Sequence, residues 1–153
     1  MIYAASINKK LAGMTKRLNY LADYESLTLT EFLEDEVRQF TIERLLELII
    51  QAAIDINKML LKQAGISLRR GNESKSNAEA FILASEQGFI SQALARQLDE
   101  SAKFRNALAH LYDDLIAESV HEAIQLALTQ YPQFITEIEN YLDSLETEDD
   151  EET

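Results

Sequence analysis

The chain has 153 residues, which is enough for one domain with a buried core. With only one proline and four glycines, the composition argues against a turn-rich β fold. The absence of cysteine excludes disulfides and thiolate metal sites. The net charge of −13 argues against a general nucleic-acid-binding protein. The sequence has neither a transmembrane-length apolar run nor a signal-peptide pattern, so we expect a cytoplasmic protein without membrane contact.

The first predicted helix covers about residues 3–24. Its apolar side chains recur at steps of three and four residues, at Ile7, Leu11, Met14, Leu18 and Leu21. Thr28, followed three residues later by Glu31, predicts a capping box that starts a second helical segment. This segment continues to Lys62 or Ala64, and Gly65 is placed to end it. Residues 45–54 (LLELIIQAAI) are apolar around most of a helix, so we expect this part to be central and most buried.

Residues 66–77 are polar, basic and rich in turn-forming residues, which predicts the main internal loop. Ser76 or Asn77 is expected to cap a short helix over residues 78–87, which Gly88 would end. Arg69 and Arg70 in this loop are candidate RNA-binding residues, on charge and position alone.

Ser91 opens the next predicted helix, and the helical pattern then continues to Leu145. Pro132 predicts a junction between two helices, because proline fits the first turn of a new helix. The chain is therefore expected to form an all-α bundle of five or six helices over residues 1–145. Residues 146–153 hold six of the acidic residues and are expected to form a disordered tail.

One segment, residues 104–114 (FRNALAHLYDD), concentrates residue types that can act on a phosphodiester. A neutral histidine, with a pKa of ~6.5, suits a general base near cellular pH, and His110 is one of only two histidines. The guanidinium of Arg105 suits phosphate oxygens, and Asn106 could hold a phosphate or orient the histidine. A surface arginine and a histidine at a helix contact are the ordinary alternative.

Helix geometry constrains how these side chains could act together. Asn106 and His110 share one helix face, whereas Arg105 lies ~140° from His110 on a regular helix. Either the helix is irregular near Arg105, or the site is shared across a two-fold dimer that supplies two copies of each residue.

The stretch RNALAHLY resembles the Arg-x4-6-His motif of the HEPN superfamily and the Arg-x4-His-x-Tyr form of HepT-like toxins. Arg105, Asn106, His110 and Tyr112 fall on the four motif positions. Residues 43–57 resemble the long central helix of the family, and the similarity covers about residues 5–145.

The resemblance implies a homodimeric, metal-independent endoribonuclease toxin with the two motifs meeting in a cleft. It implies Arg105 and His110 as catalytic residues with Asn106 in support, and no cofactor. The implied partners are an RNA substrate and a minimal nucleotidyltransferase (MNT) antitoxin, which transfers AMP from ATP to Tyr112. Added charge and bulk there would repel the RNA phosphate.

Two alternatives to an enzyme remain at this stage. The chain could be a non-catalytic HEPN-like module that binds a nucleotide and docks a nucleotidyltransferase, or a structural helical dimer with no site. Glu118 and His121 have the Glu-x-x-His spacing of di-iron bundles, but no second such pair accompanies them, so we expect no metal site and a surface position for His121.

Overall fold

The computed structural model describes residues 3–68, 73–110 and 117–152, the side chains of 73–76, 110 and 148–152 excepted. Within these ranges the chain is helical and contains no strand, so the all-α prediction is confirmed. The helices are α1 (Ala4–Ala22), α2 (Leu29–Glu34), α3 (Glu36–Gln63), α4 (Glu73–Glu86), α5 (Gln92–His110) and α6 (Ala117–Glu152). None of these helices combines the length and the apolarity that a membrane span requires.

Helix α3 is the centre of the bundle, as its apolar composition predicted. It packs against each of the other five helices. Its side chains are buried on several sides, including Leu46, Ile49, Ile50, Ile54 and Ile56. A helix that is apolar around most of its circumference can bury all of that surface only by being surrounded, which explains the position.

The entry to α3 differs from the single long segment that the sequence predicted. Thr28 and Glu31 form the expected capping box at the start of α2. The helix then breaks at Asp35, which has extended backbone dihedrals. The Asp35 carboxylate accepts a hydrogen bond from the backbone N–H of Arg38, so it caps the N-terminus of α3.

Helices α3 and α4 both end within two residues before the glycines that were predicted to stop them. Gly65 and Gly88 both have positive φ, the backbone conformation that glycine adopts at little cost after a helix. The predicted start of α4 is wrong, because the helix begins at Glu73 and Asn77 lies inside it. Asn77 is buried, and its Oδ1 accepts a hydrogen bond from Lys58 Nζ at 2.7 Å instead of capping the helix.

Ser91 caps α5 as predicted, its Oγ accepting a hydrogen bond from the backbone N–H of Leu94. The predicted junction at Pro132 is wrong: α6 passes through this residue without ending. Proline removes one backbone hydrogen bond from a helix interior. Here the buried side chains of Tyr131 and Phe134 on either side anchor the helix to the core.

Helix α6 extends to Glu152 and so includes most of the acidic segment for which the sequence predicts a disordered tail. The domain boundary at residue 145 stays a prediction.

Candidate active site

The last turns of α5 carry the candidate catalytic residues. Arg105 and Asn106 are both half-buried, and Arg105 Nη1 lies 3.5 Å from Asn106 Oδ1, at the outer limit of a hydrogen bond. The helix continues through His110, whose backbone is helical. The structure therefore places all three predicted residues on one uninterrupted helix.

This regularity excludes one of the two arrangements that helix geometry allowed. An irregular helix near Arg105 is wrong, since α5 is α-helical from Gln92 to His110. At about 100° per residue, Arg105 and His110 then project ~140° apart, whereas Asn106 and His110 lie on the same face. Position 105 and position 110 therefore lie on different faces of α5.

Other predicted site residues fall outside the described parts of the chain. Tyr112 lies in residues 111–116, and Arg69 and Arg70 lie in residues 69–72. The side chain of His110 is likewise not described. The proposed roles of these residues stay predictions.

An apolar groove of about 450 Å³ lies between α3, α5 and α6, next to the candidate catalytic residues. Phe104, which directly precedes Arg105, lines it together with Leu46 and Ile50 of α3. Leu126 of α6 also lines it and is 52% exposed. Sequence reasoning missed this groove, because its walls come from three helices far apart in the chain.

A buried hydroxyl pair closes one side of this groove. Tyr131 is 1% exposed, and its Oη lies 2.5 Å from Ser101 Oγ. Burial raises the pKa of the Tyr131 phenol above its ordinary value, because desolvation disfavours the phenolate. The pair is neutral and joins α5 to α6, so it supports the groove rather than supplying chemistry.

A charged cluster lies on α5 before the candidate residues. Asp99, and then Glu100, raise the pKa of Lys103, and the ammonium lies 3.5 Å from the Asp99 carboxylate. The Lys103 cation is therefore engaged by acidic residues of its own helix.

The expected surface position of His121 is wrong. The residue is half-buried, its Nε2 lies 2.6 Å from the Leu27 carbonyl oxygen, and its ring is 5.8 Å from that of Phe32. This histidine ties α6 to the segment before α2. The described residues contain no cluster of metal-ligating side chains.

Comparison with known proteins bears on what this arrangement does. The family described as "Ribonuclease HepT-like" matches residues 14–138. The "tRNA nuclease HepT" of Aphanizomenon flos-aquae is 38% identical over 144 residues, which cover 94% of this chain and 95% of that protein. The chain belongs to the HepT-like ribonuclease family. This membership identifies it as a ribonuclease and favours the enzymatic alternative over a non-catalytic module.

Two solved structures share the fold of this HepT-like chain. A tri-AMPylated HEPN toxin of Shewanella oneidensis, in complex with MNT antitoxin, superposes with a TM-score of 0.76 at 22% identity. The match covers 88% of this chain and 96% of the toxin. The cytosolic protein YutE of Bacillus subtilis superposes with a TM-score of 0.74 at 15% identity, covering 92% and 91% of the two chains. The predicted HEPN-like bundle is therefore confirmed.

Proposed function

We propose that this HepT-like ribonuclease is the toxin of a toxin–antitoxin pair and cleaves tRNA without a metal ion in the cytoplasm. The observation that carries the proposal is 38% identity, over nearly the whole length of both chains, to a protein named tRNA nuclease HepT. The motif at the end of α5 supplies residue types suited to the reaction.

The proposed chemistry is an internal attack within the RNA. One His110 removes the proton from a ribose 2′-hydroxyl, and the 2′-oxygen forms a new bond to the adjacent phosphorus. Arg105 binds the phosphate oxygens and stabilises their extra negative charge in the transition state. A second imidazole protonates the departing 5′-oxygen as its bond to phosphorus breaks. Asn106 supports this arrangement from the same helix face as His110.

We propose that the active site is shared between two copies of the chain. The regular course of α5 supports this, because positions 105 and 110 lie on different faces of one helix and a two-fold axis can bring together residues from both chains. The apolar groove beside Phe104 is the proposed contact surface, since several apolar side chains, among them Leu126, lie together there and a second protein surface could cover them.

We propose that an MNT nucleotidyltransferase antitoxin inactivates the enzyme by adenylylating Tyr112. The support is the shared fold with a HEPN toxin described as AMPylated and bound to MNT antitoxin, together with the two-residue spacing of Tyr112 from His110. An AMP group would bring a negative charge next to the phosphate-binding residues and repel the substrate.

The test is cleavage of purified tRNA by the isolated protein in the presence of EDTA. His110→Ala and Arg105→Ala should each abolish cleavage, and should also abolish growth arrest on expression alone. Arg96→Ala is the matched control, because Arg96 is an exposed arginine on the same helix and should retain activity. Cleavage that survives both motif changes would disprove the assignment of the site. Mass spectrometry after co-expression with an MNT nucleotidyltransferase antitoxin should detect AMP on Tyr112.

A further inference from the structure

Helix α1 has a charge opposite to that of the chain as a whole. Between Ala4 and Ala22 it carries four basic residues and no acidic residue, in a protein with a net charge of −13. Such segregation creates a local positive field on an acidic body, which attracts anions to one surface and repels them from others. This surface is distinct from the candidate active site, because α1 packs against α3 and α6 and does not contact α5.

Three of the four cations line a groove of about 470 Å³ between α1 and α3. Lys9, Lys10 and Arg17 come from α1, and the facing wall comes from α3 and includes Gln51 and Asp55. The groove is large enough to accept a phosphate group with part of an attached sugar.

The one acidic residue that lines the groove is already engaged. Asp55 lies 3.6 Å from Lys10 Nζ and accepts a hydrogen bond of 2.7 Å from Gln51 Nε2. Lys9 and Arg17 form no ion pair with any described residue. The groove therefore presents two cations whose charge is not balanced by the protein.

Gly13 shapes the floor of the groove. A Cβ atom at this position would lie 2.9 Å from Arg17 Nη1, closer than non-bonded contacts allow. The absence of a side chain at Gly13 thus lets the guanidinium lie against the backbone of α1. Glycine at this position destabilises helix α1, because glycine in a helix interior is about 1 kcal/mol less favourable than alanine.

We propose that this groove binds the phosphate backbone of the RNA substrate at a second site, separate from the catalytic residues on α5. The substrate class rests on the proposed function. An acidic enzyme needs a local cationic surface to hold a polyanion, and Lys9 and Arg17 supply one. Phosphate contacts of this kind position a nucleic acid without reading its sequence. The groove therefore contributes to affinity and leaves the rate of the chemical step unchanged.

The test measures binding of tRNA to the full-length chain carrying His110→Ala, over a range of salt concentrations. Adding Lys9→Gln and Arg17→Gln should weaken binding about tenfold near 0.15 M salt. The slope of log K against log salt should fall by about 1.5, since each lost phosphate contact contributes about 0.7 to 0.9. In the catalytically intact protein the same pair should raise KM for tRNA and leave kcat unchanged.

The control pair is Arg44→Gln with Arg96→Gln, which removes the same charge from exposed positions outside the groove. Gly13→Ala is a further variant that displaces Arg17 without removing charge; it should weaken tRNA binding two- to threefold while the melting temperature stays equal or rises.

An unchanged salt slope in the Lys9/Arg17 pair, or an equal loss in the control pair, would overturn the inference even if the enzyme cleaves tRNA. ATP binding is measured on the same variants. If the Lys9/Arg17 pair weakens binding of ATP but not of tRNA, the groove binds a free nucleotide and the inference is overturned. If the protein binds tRNA through the groove but does not cleave it, the proposed function fails and the binding site stands.

Discussion

Two buried asparagines should respond in opposite directions to the same substitution. Asn57 of α3 is fully buried, and neither its Oδ1 nor its Nδ2 forms a hydrogen bond with any described residue. Asn77 of α4 is equally buried, but its Oδ1 accepts a hydrogen bond from the Lys58 ammonium. We predict that Asn57→Leu stabilises the fold and that Asn77→Leu destabilises it.

The magnitude follows from the pairing of each amide. A buried polar group without a partner costs roughly 1–3 kcal/mol, so replacing both amide atoms of Asn57 with methyl groups removes that cost. Because methyl groups are slightly larger than the amide atoms they replace, crowding offsets part of this stabilisation. We expect Asn57→Leu to raise the free energy of unfolding by about 1–2 kcal/mol, which raises the melting temperature by about 2–8 °C for a chain of this size.

Asn77→Leu removes an acceptor from a charged donor, which costs about 1.5–3 kcal/mol. Loss of the unpaired Nδ2 of Asn77 offsets some of this cost, so we expect a net destabilisation of about 1 kcal/mol.

The assay is urea unfolding of both variants followed by circular dichroism, at fixed protein concentration because assembly would shift the midpoint. Neither change should alter tRNA cleavage at saturating substrate. A destabilised Asn57→Leu protein would refute the reasoning, since it would show that the amide of Asn57 is paired in the folded state. Stabilisation by both changes would show that the Lys58 hydrogen bond contributes nothing.

Three further changes test other parts of the structure. Thr28→Ala should destabilise the fold by about 1 kcal/mol in thermal unfolding, because it removes the cap of α2. Hydrogen bonds from the Thr28 backbone and hydroxyl lower the pKa of Glu31, so their contribution is present above the unfolded pKa of about 4.5 and is lost as the pH falls through the folded pKa. The difference between wild type and variant should therefore shrink at low pH, while the part due to the bond from Glu31 N–H to Thr28 Oγ remains. Tyr131→Phe should cost about 1 kcal/mol through the lost contact with Ser101, and a cost near zero in urea unfolding would contradict it. Leu126→Glu should leave the melting of secondary structure nearly intact but abolish dimer formation in light scattering, together with cleavage; a dimeric, active variant would place the interface elsewhere.

The sequence alone predicted the features that depend on neighbouring residues. The apolar period of Ile7 to Leu21 predicted α1. The spacing of Thr28 and Glu31 predicted a capping box, and Gly65 and Gly88 predicted two helix ends. Each of these features requires only a few residues in contact along one helix, so the local pattern carries the information. The candidate residues Arg105, Asn106 and His110 were found in the same way, as a short motif.

Features that depend on distant parts of the chain required the tertiary structure. Pro132 has a local preference for a helix start, but burial of Tyr131 and Phe134 outweighs it and α6 continues. Asn77 could cap a helix, but Lys58 offers it a partner inside the bundle. Most local propensities are worth about 1 kcal/mol or less and a proline inside a helix costs about 3 kcal/mol, whereas burying two large apolar side chains contributes about 3–6 kcal/mol.

The residue types of the site were readable from the sequence, and their arrangement was not. Only the structure shows that α5 is unbroken, so that positions 105 and 110 lie on different faces of one regular helix. Only the packing of α1 on α3 brings Lys9 and Arg17 to a common groove with Asp55 already neutralised. The sequence determined which helices form and which chemical groups they carry, because both are local properties. The tertiary structure decided which groups face each other, because that depends on how the helices pack.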